Sequence, residues 1–382
     1  MAGIVLEGLS KWYGPVPASG DVSLSVDEGE FLVVLGPSGC GKTTTLRCLA
    51  GVEEPETGEI YVGDRCLFSQ QRGLSVPAKD RNIGMVFQNY ALYPHMTVSR
   101  NIEFGLKTRR VPKDIIRRRV REAIGLVGLE GLEERRPREL SGGQQQRVAV
   151  ARTIAAQPDT LLFDEPLSNL DPELRVSLRP QLRHLHRKLG ATSIYVTHDQ
   201  LEAMVLADRI AVMENGRITQ IAGGNDLYNF PATISVAEFT GNPKTNLIHG
   251  EVHRSEEQTW LIPDQDPYCI IALDKECRDF SGQKVVFHVR PEELELIETP
   301  EEEEGRLRVL AVMQEGADTL VHLHLGDRNE QLIAKSHFNR FESLKTGDWV
   351  GLRFHRGNIY STETSLLVRS FGYGKSPVLA SP

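Results

Sequence analysis

The sequence predicts an α/β domain followed by a small all-β domain, on three observations. An apolar run, Phe31 to Leu35, leads into Gly36-Pro37-Ser38-Gly39-Cys40-Gly41-Lys42-Thr43 and then a helical pattern from Thr44 to Ala50, which reads as strand, glycine loop, helix. Further strand-length runs, Ile83 to Phe87, Thr160 to Phe163 and Ser193 to Thr197, alternate with helical patterns, as in an open α/β sheet. Beyond about Pro231 the pattern changes to short β runs separated by turns: Cys269 to Leu273, Lys284 to Val289, Leu307 to Val312, Thr319 to Leu325, Gln331 to Lys335 and Trp349 to Phe354. At 382 residues the chain exceeds one compact core. Two domains are expected, 1–235 and 236–382, with a helical subdomain at about 98–156 in the first.

The glycine loop is a phosphate cradle. Its glycines let successive backbone N–H groups turn toward one point, the helix start adds a positive dipole end, Lys42 reaches β- and γ-phosphates, and Thr43 offers a hydroxyl to Mg²⁺. Composition is that of a soluble globular chain, 40% hydrophobic and 25% charged. The net charge of −8 argues against a general nucleic-acid binder, which needs a basic surface. No stretch approaches the roughly 20 apolar residues of a membrane span, and Met1 to Glu7 lacks a basic region followed by an apolar core, so a cytoplasmic chain is expected. Cys40, Cys48, Cys66, Cys269 and Cys277 are odd in number without metal-type spacing, which fits a reducing compartment. Cys40, in a helix-initiating loop, is expected to carry a depressed thiol pKa, and its alkylation to block nucleotide binding.

Taken in order, residues 4 to 30 alternate apolar and polar and turn at Asp27-Glu28-Gly29, an antiparallel edge leading into the first central strand. Lys11-Trp12-Tyr13-Gly14 sets two aromatics ahead of a Gly-Pro loop; Tyr13 is the candidate to stack on adenine, the alternative being a ring packed on its own subdomain. Glu59 to Val62 turns at Gly63-Asp64 into a second hairpin. The strand from Ile83 ends at Gln88, whose amide at that position can bond a metal-bound or attacking water. Asn89 to His95 is an aromatic, proline-broken loop with the character of a contact surface.

From about Val98 to Arg138 the chain is helical and basic. Ile116, Val120, Ile124 and Val127 fall on one face, which puts Arg117, Arg118, Arg119 and Arg121 on a solvated face or beside lipid headgroups. Leu140-Ser141-Gly142-Gly143-Gln144-Gln145-Gln146-Arg147 opens a new helix capped by Ser141, a second anion site. With one lysine-bearing cradle, the second site suits a nucleotide held by another copy. Thr160 to Phe163 delivers Asp164-Glu165-Pro166: Asp164 suits Mg²⁺, and Glu165 can polarise the attacking water. Ser168-Asn169-Leu170-Asp171 follows, and the strand to Thr197 ends at His198, placed to contact a γ-phosphate. Arg209 to Ile221 forms a hairpin across Asn215-Gly216.

These residues resemble the ATPases of ABC transporters over about 4–235. Gly36 to Thr43 matches Walker A, Gln88 the Q-loop, Leu140 to Arg147 the signature motif, Leu161 to Glu165 Walker B, Ser168 to Asp171 the D-loop and His198 the switch histidine. The resemblance implies a P-loop NTPase fold: a RecA-like core with antiparallel β and helical subdomains. It implies a homodimer sandwiching two ATPs with Mg²⁺, each ATP between one copy's Walker A and the other's Ser141, Gly142, Gly143 and Gln144. ATP would also meet Tyr13, Gly36, Ser38, Gly39, Cys40, Gly41, Lys42, Thr43, Thr44 and Asp171, and the metal Thr43, Gln88 and Asp164. Glu165 would be the catalytic base, with His198 and Gln88 assisting. Two membrane permease subunits, a solute-binding protein acting through them, and a place at the cytoplasmic face of the inner membrane follow from the same resemblance.

Val76 to Ile83 with Asn89 to Val98 is similar to the ATPases of maltose, oligosaccharide and glycerol-3-phosphate importers, and polyamine and iron importers share much of it. There a short permease helix docks beside the Q-loop. Phe239 to Pro243, Asn246 to Ile248 and Val289 to Glu292 resemble the TOBE-type, OB-fold regulatory domain, which joins the two copies and can receive a regulatory protein or small ligand. Two departures stand out: Pro180, expected to kink or split the helix from about 172 to 189, and Ser99-Arg100, where relatives carry an aromatic and an acid. Glu301 to Glu304 reads as a solvated loop, His322 and His324 as barrel surface, and Ser376 to Pro382 as a patternless end. A soluble ABC protein acting on nucleic acid or ribosomes would call for tandem halves or a coiled-coil insertion and a basic face, which this sequence lacks.

Overall fold

The computed structural model describes residues 3–256, 258–264, 271–273, 275–297, 307–325, 330–337, 341 and 343–372. Cys269, Glu301 to Glu304 and Ser376 to Pro382 lie outside the described residues. The chain divides into two compact units, Met1–Gly224 and Asn225–Pro382, a division ahead of the expected boundary between 235 and 236.

The first unit holds two sheets. Strands β1 (Ile4–Tyr13), β2 (Val16–Val26), β4 (Thr57–Val62), β5 (Arg65–Ser69) and β6 (Leu74–Ser75) make an antiparallel sheet in the order β2-β1-β4-β5-β6. The central sheet runs β11-β10-β3-β9-β8-β7, built from β3 (Phe31–Leu35), β7 (Ile83–Val86), β8 (Thr160–Asp164), β9 (Thr192–Thr197), β10 (Arg209–Glu214) and β11 (Arg217–Ala222). All its pairs are parallel except β10 with β11. That hairpin turns at Asn215 and Gly216, both left-handed, the geometry a two-residue type I′ connection requires.

Strands β3, β8 and β9 are buried along their whole length. That is why they read as continuous apolar runs rather than alternating ones. Helix α1 (Lys42–Ala50) lies between the two sheets: its Leu46, Cys48 and Leu49 share one core with Ile4, Leu6 and Ile60 on one side and Leu32, Val34 and Leu162 on the other. Each fully buried leucine or isoleucine there contributes about 2 kcal/mol.

Helices α2 (Val98–Thr108), α3 (Lys113–Val127) and α4 (Gly142–Ala155) form the helical part, with α3 turning Ile116, Val120 and Ile124 inward as its periodicity predicts. Helix α5 (Pro172–Leu189) corrects part of one expectation: Pro180 sits inside it and does not split it, the helix running for 18 residues. Leu178, Leu182 and Leu185 are buried on either side of the proline, and this packed face holds the helix together against the missing N–H. Helix α6 (Gln200–Leu206) follows β9. No helix among the described residues is long and apolar enough to cross a membrane.

Among the described residues the second unit carries the short helices α7 (Gly224–Asn229, which begins at the boundary) and α8 (Ile234–Phe239) and eleven strands. Strands β12 (Asn246–Arg254), β13 (Thr259–Pro263), β14 (Ile271–Leu273), β15 (Lys284–Val289), β21 (Gly357–Ser361) and β22 (Leu367–Phe371) pair in the order β14-β13-β12-β15-β21-β22. Strands β16 (Leu294–Ile297), β17 (Leu307–Glu315), β18 (Asp318–Leu325), β19 (Glu330–His337) and β20 (Trp349–Phe354) pair as β16-β20-β17-β18-β19. The two ladders share one core, with Ile248, Phe287 and Ile359 from one and Val309, Leu323 and Val350 from the other. His322 and His324 are half-buried on β18.

Candidate nucleotide site

The site grows from the C-terminal ends of the parallel strands, where an open α/β sheet places its ligands. After β3 come Gly36 and the loop to Gly41. A Cβ on Gly36 would stand 2.1 Å from the Met213 carbonyl oxygen, and one on Gly41, whose φ is +102°, 2.0 Å from that of Ala18. Only glycine fits either place, so the loop is fixed by neighbouring backbone. Helix α1 starts on Gly41 with no side-chain cap, so its first N–H groups have no side-chain acceptor. Lys42 is buried, with Nζ donating to the Gly36 and Pro37 carbonyls at 2.8 Å each. Its ammonium thus lies against the loop that it would share with phosphate.

Strand β8 ends in Asp164, whose Oδ1 accepts from Thr43 Oγ1 at 2.7 Å. Burial raises the Asp164 pKa, against the lowering effect of the Thr43 hydrogen bond. A cation there would oppose that rise. The hydroxyl and carboxylate are hard oxygen donors of the kind Mg²⁺ prefers.

Glu165 follows in a left-handed conformation, φ +43°, a strained geometry for a side chain of this size. Its N–H donates to Val196 O on β9 at 3.0 Å, and Oε2 lies 3.0 Å from His198 Nδ1. The strain thus aims Glu165 at the end of the neighbouring strand.

Ser38, Gly39, Gly41, Lys42, Thr43, Thr44, Glu165 and Tyr13 line one cavity of about 380 Å³, together with Val16, Pro17 and Ala18. Tyr13 is half-exposed; its hydroxyl donates to Glu53, and Lys11 Nζ lies 5.7 Å from its ring centroid. Cys40 lies within the loop but corrects the expected reactivity: burial raises its thiol pKa, and Lys42 only partly offsets this. Desolvation of the thiolate outweighs the helix start.

Six predicted residues lie elsewhere. Ser141, Gly142, Gly143 and Gln144 open α4 outside this cavity, with Ser141 Oγ accepting from Gln144 N at 3.3 Å and Gln144 Oε1 from Ser141 N at 2.9 Å. Asp171 caps α5 by accepting from Leu174 N at 2.9 Å. Gln88 is exposed past β7; its Nε2 donates to Ser168 Oγ at 3.3 Å, and Asn169 Nδ2 donates to its carbonyl at 2.8 Å, which ties the Q-loop to the D-loop segment.

Sequence reasoning missed the support of His198. Buried Glu202 accepts from Tyr195 and Thr197 hydroxyls at 2.8 Å each, and Arg179 donates to Asp199 at 2.8 Å. Burial raises the Glu202 pKa. The spacing Asp199 to Glu202 is a helix-start signature that could have revealed it, since Asp199 Oδ1 accepts from Glu202 N. Arg81 was also missed: it is buried, donating to the Cys48, Leu49 and Val76 carbonyls, and so closes the C-terminal end of α1.

Residues 19–168 match the family described as ABC transporter, and residues 287–360 the TOBE domain. A trehalose/maltose import ATP-binding protein of Thermococcus litoralis is 48% identical over 85% of this chain and 89% of its own. The sn-glycerol-3-phosphate import ATP-binding protein of Escherichia coli K12 is 42% identical over 95% and 99%. Among solved structures, a dimeric bacterial ABC transporter cassette aligns with a TM-score of 0.50 at 32% identity, covering 58% of this chain and 98% of that one. A component of the cbiONQ transporter of Clostridium perfringens aligns at 0.54, 29% identity, 59% and 90% coverage. The chain belongs to the ABC transporter ATPases. Within them it is the ATP-hydrolysing subunit of an importer that carries a C-terminal TOBE domain.

Proposed function

We propose that two copies of this chain close head to tail on two ATPs and drive uptake of a carbohydrate or glycerol-3-phosphate through separate membrane permeases. The observation that carries this reading is the convergence of three strand ends on the cavity, with Thr43 on Asp164 at 2.7 Å and Glu165 on His198 at 3.0 Å. The phosphates lie along the amides of Ser38 to Thr44, with Lys42 leaving its loop carbonyls for the β- and γ-phosphates. Tyr13 stacks on adenine. Thr43, Asp164 and Gln88 hold Mg²⁺, which neutralises phosphate charge when bound. Glu165 accepts the proton of the attacking water, and His198 contacts the γ-phosphate.

Ser141, Gly142, Gly143 and Gln144 of one copy, with Asp171, complete the site of the other. A dimeric cassette among the similar structures supports this arrangement. A groove of about 600 Å³ beside the Q-loop, lined by Met85, Phe87, Tyr93, Phe104 and Arg109 among others, receives a short permease helix. Buried Asn101 holds its wall, accepting from Tyr93 N at 2.8 Å and donating to Thr97 O at 3.0 Å. The chain works at the cytoplasmic face of the inner membrane, a solute-binding protein acts through the permeases, and the second unit joins the copies and can receive a regulatory protein or small ligand.

Co-purification of the membrane partners, followed by ATP turnover in the reconstituted complex with maltose, trehalose or glycerol-3-phosphate, tests the proposal. Stimulation by one of them is expected. Stimulation only by a polyamine or ferric iron overturns the solute assignment.

A further inference from the structure

Eight of the fifteen residues from Lys107 to Arg121 are Lys or Arg and one, Asp114, is acidic, in a chain whose net charge is −8. The stretch begins in the last turns of α2 and covers the first half of α3. Burial of Ile116, Val120, Ala123 and Ile124 fixes which way α3 faces. Lys113, Arg117 and Arg121, four residues apart, are left as one exposed row. On the adjacent row Arg118 is matched by Glu122 at 3.8 Å. Among the described residues no carboxylate pairs with Lys113, Arg117 or Arg121. Like charges at this spacing repel, so the helix carries the row at a cost in stability that a partner would repay.

The row adjoins the groove described above. Arg109, Thr108, Gly105 and Phe104 line that groove, and three residues, Arg110 to Pro112, separate Arg109 from Lys113. On the reading that the groove takes a permease helix, on which this inference rests, the start of α3 lies beside a leaflet bearing anionic headgroups. We infer that Lys113, Arg117 and Arg121 bind the anionic phospholipid headgroups of that leaflet and orient the ATPase against the membrane. The row spans about 12 Å at helical rise, a narrow strip suited to a planar array of headgroups. A nucleic acid would need a broad basic surface, which the acidic remainder of the chain denies.

The test is flotation of the purified full-length chain with vesicles of phosphatidylcholine alone or with added phosphatidylglycerol. Binding to the anionic vesicles at low salt and release at high salt are expected. The variant Lys113→Gln/Arg117→Gln/Arg121→Gln should partition on the order of a hundredfold less, at roughly fivefold per charge, while ATP binding in solution stays at the parent level. Arg118→Gln, whose charge is already shared with Glu122, should lose less than any one of the three. Equal recovery with both vesicles, a triple variant that floats like the parent, or binding to duplex DNA without binding to vesicles overturns the inference. Permease co-purification reads the groove separately: a chain that floats with anionic vesicles but recruits no permease overturns the docking reading and leaves the headgroup contact standing.

Discussion

Two helix starts in the first unit are proposed to meet phosphate, and they are built differently. Helix α1 opens on Gly41 with no side-chain cap, and Lys42 stands at its first turn. Helix α4 opens on Ser141, whose hydroxyl accepts from Gln144 N while Gln144 accepts from Ser141 N. The first start leaves its amides to a ligand and brings a full positive charge. The second has committed amides of Ser141 and Gln144 to its own turn, keeps those of Gly142 and Gly143, and brings no cation in its first turn. On the proposed function, the first holds the triphosphate and the second adds to a site already made.

The largest expected effect is at the first start. Lys42→Ala should weaken ATP binding by a hundredfold or more, since it removes the charge-assisted contact to the β- and γ-phosphates. Gln144→Ala should leave the ATP affinity of a single protomer unchanged. Equal losses by equilibrium binding would break the contrast between the two starts. Next, Glu165→Gln should lower turnover by about 10²- to 10⁴-fold while ATP stays bound and dimers accumulate, as size-exclusion with ATP would report. Near-normal turnover would remove Glu165 from its proposed role. A smaller effect is expected from Ser141→Ala: about 1 kcal/mol of helix capping is lost, and turnover falls roughly tenfold with protomer ATP affinity unchanged. A strict monomer that hydrolyses ATP at full rate with Ser141 and Gly142 dispensable would remove the shared site altogether.

The first unit was legible because its signals are local. Strand β3, the glycine loop and α1 are contiguous, Asp164 and Glu165 close one apolar run, and His198 stands just past the strand that ends at Thr197. What escaped depends on partners far apart in sequence: Arg81 on the carbonyls of Cys48 and Leu49, or Arg179 on Asp199. Pro180 misled because propensity is a local quantity, whereas the buried leucines of α5 act through the fold. In the second unit the strands β12, β13, β16, β21 and β22 went unassigned. Gly250 lies within β12, Pro263 ends β13 and Gly357 opens β21, residues that read as turns until their ladders are known.

The smallest effect concerns Cys40, which tests how closed the first start is. The thiol lies 3.8 Å from Lys42 Nζ, yet burial raises its pKa above the ordinary 9.0, so it is neutral at pH 7. The sign follows from desolvation: a thiolate there loses more hydration than Lys42 returns. N-ethylmaleimide should therefore react severalfold more slowly than with a free thiol at pH 8, and the rate should keep climbing through and beyond pH 9. ATP should protect the thiol, and the alkylated protein should no longer bind ATP. The rate can be followed by mass spectrometry with Cys40→Ser as the control. A rate already level by pH 8 would mean that the helix start, rather than burial, governs the loop.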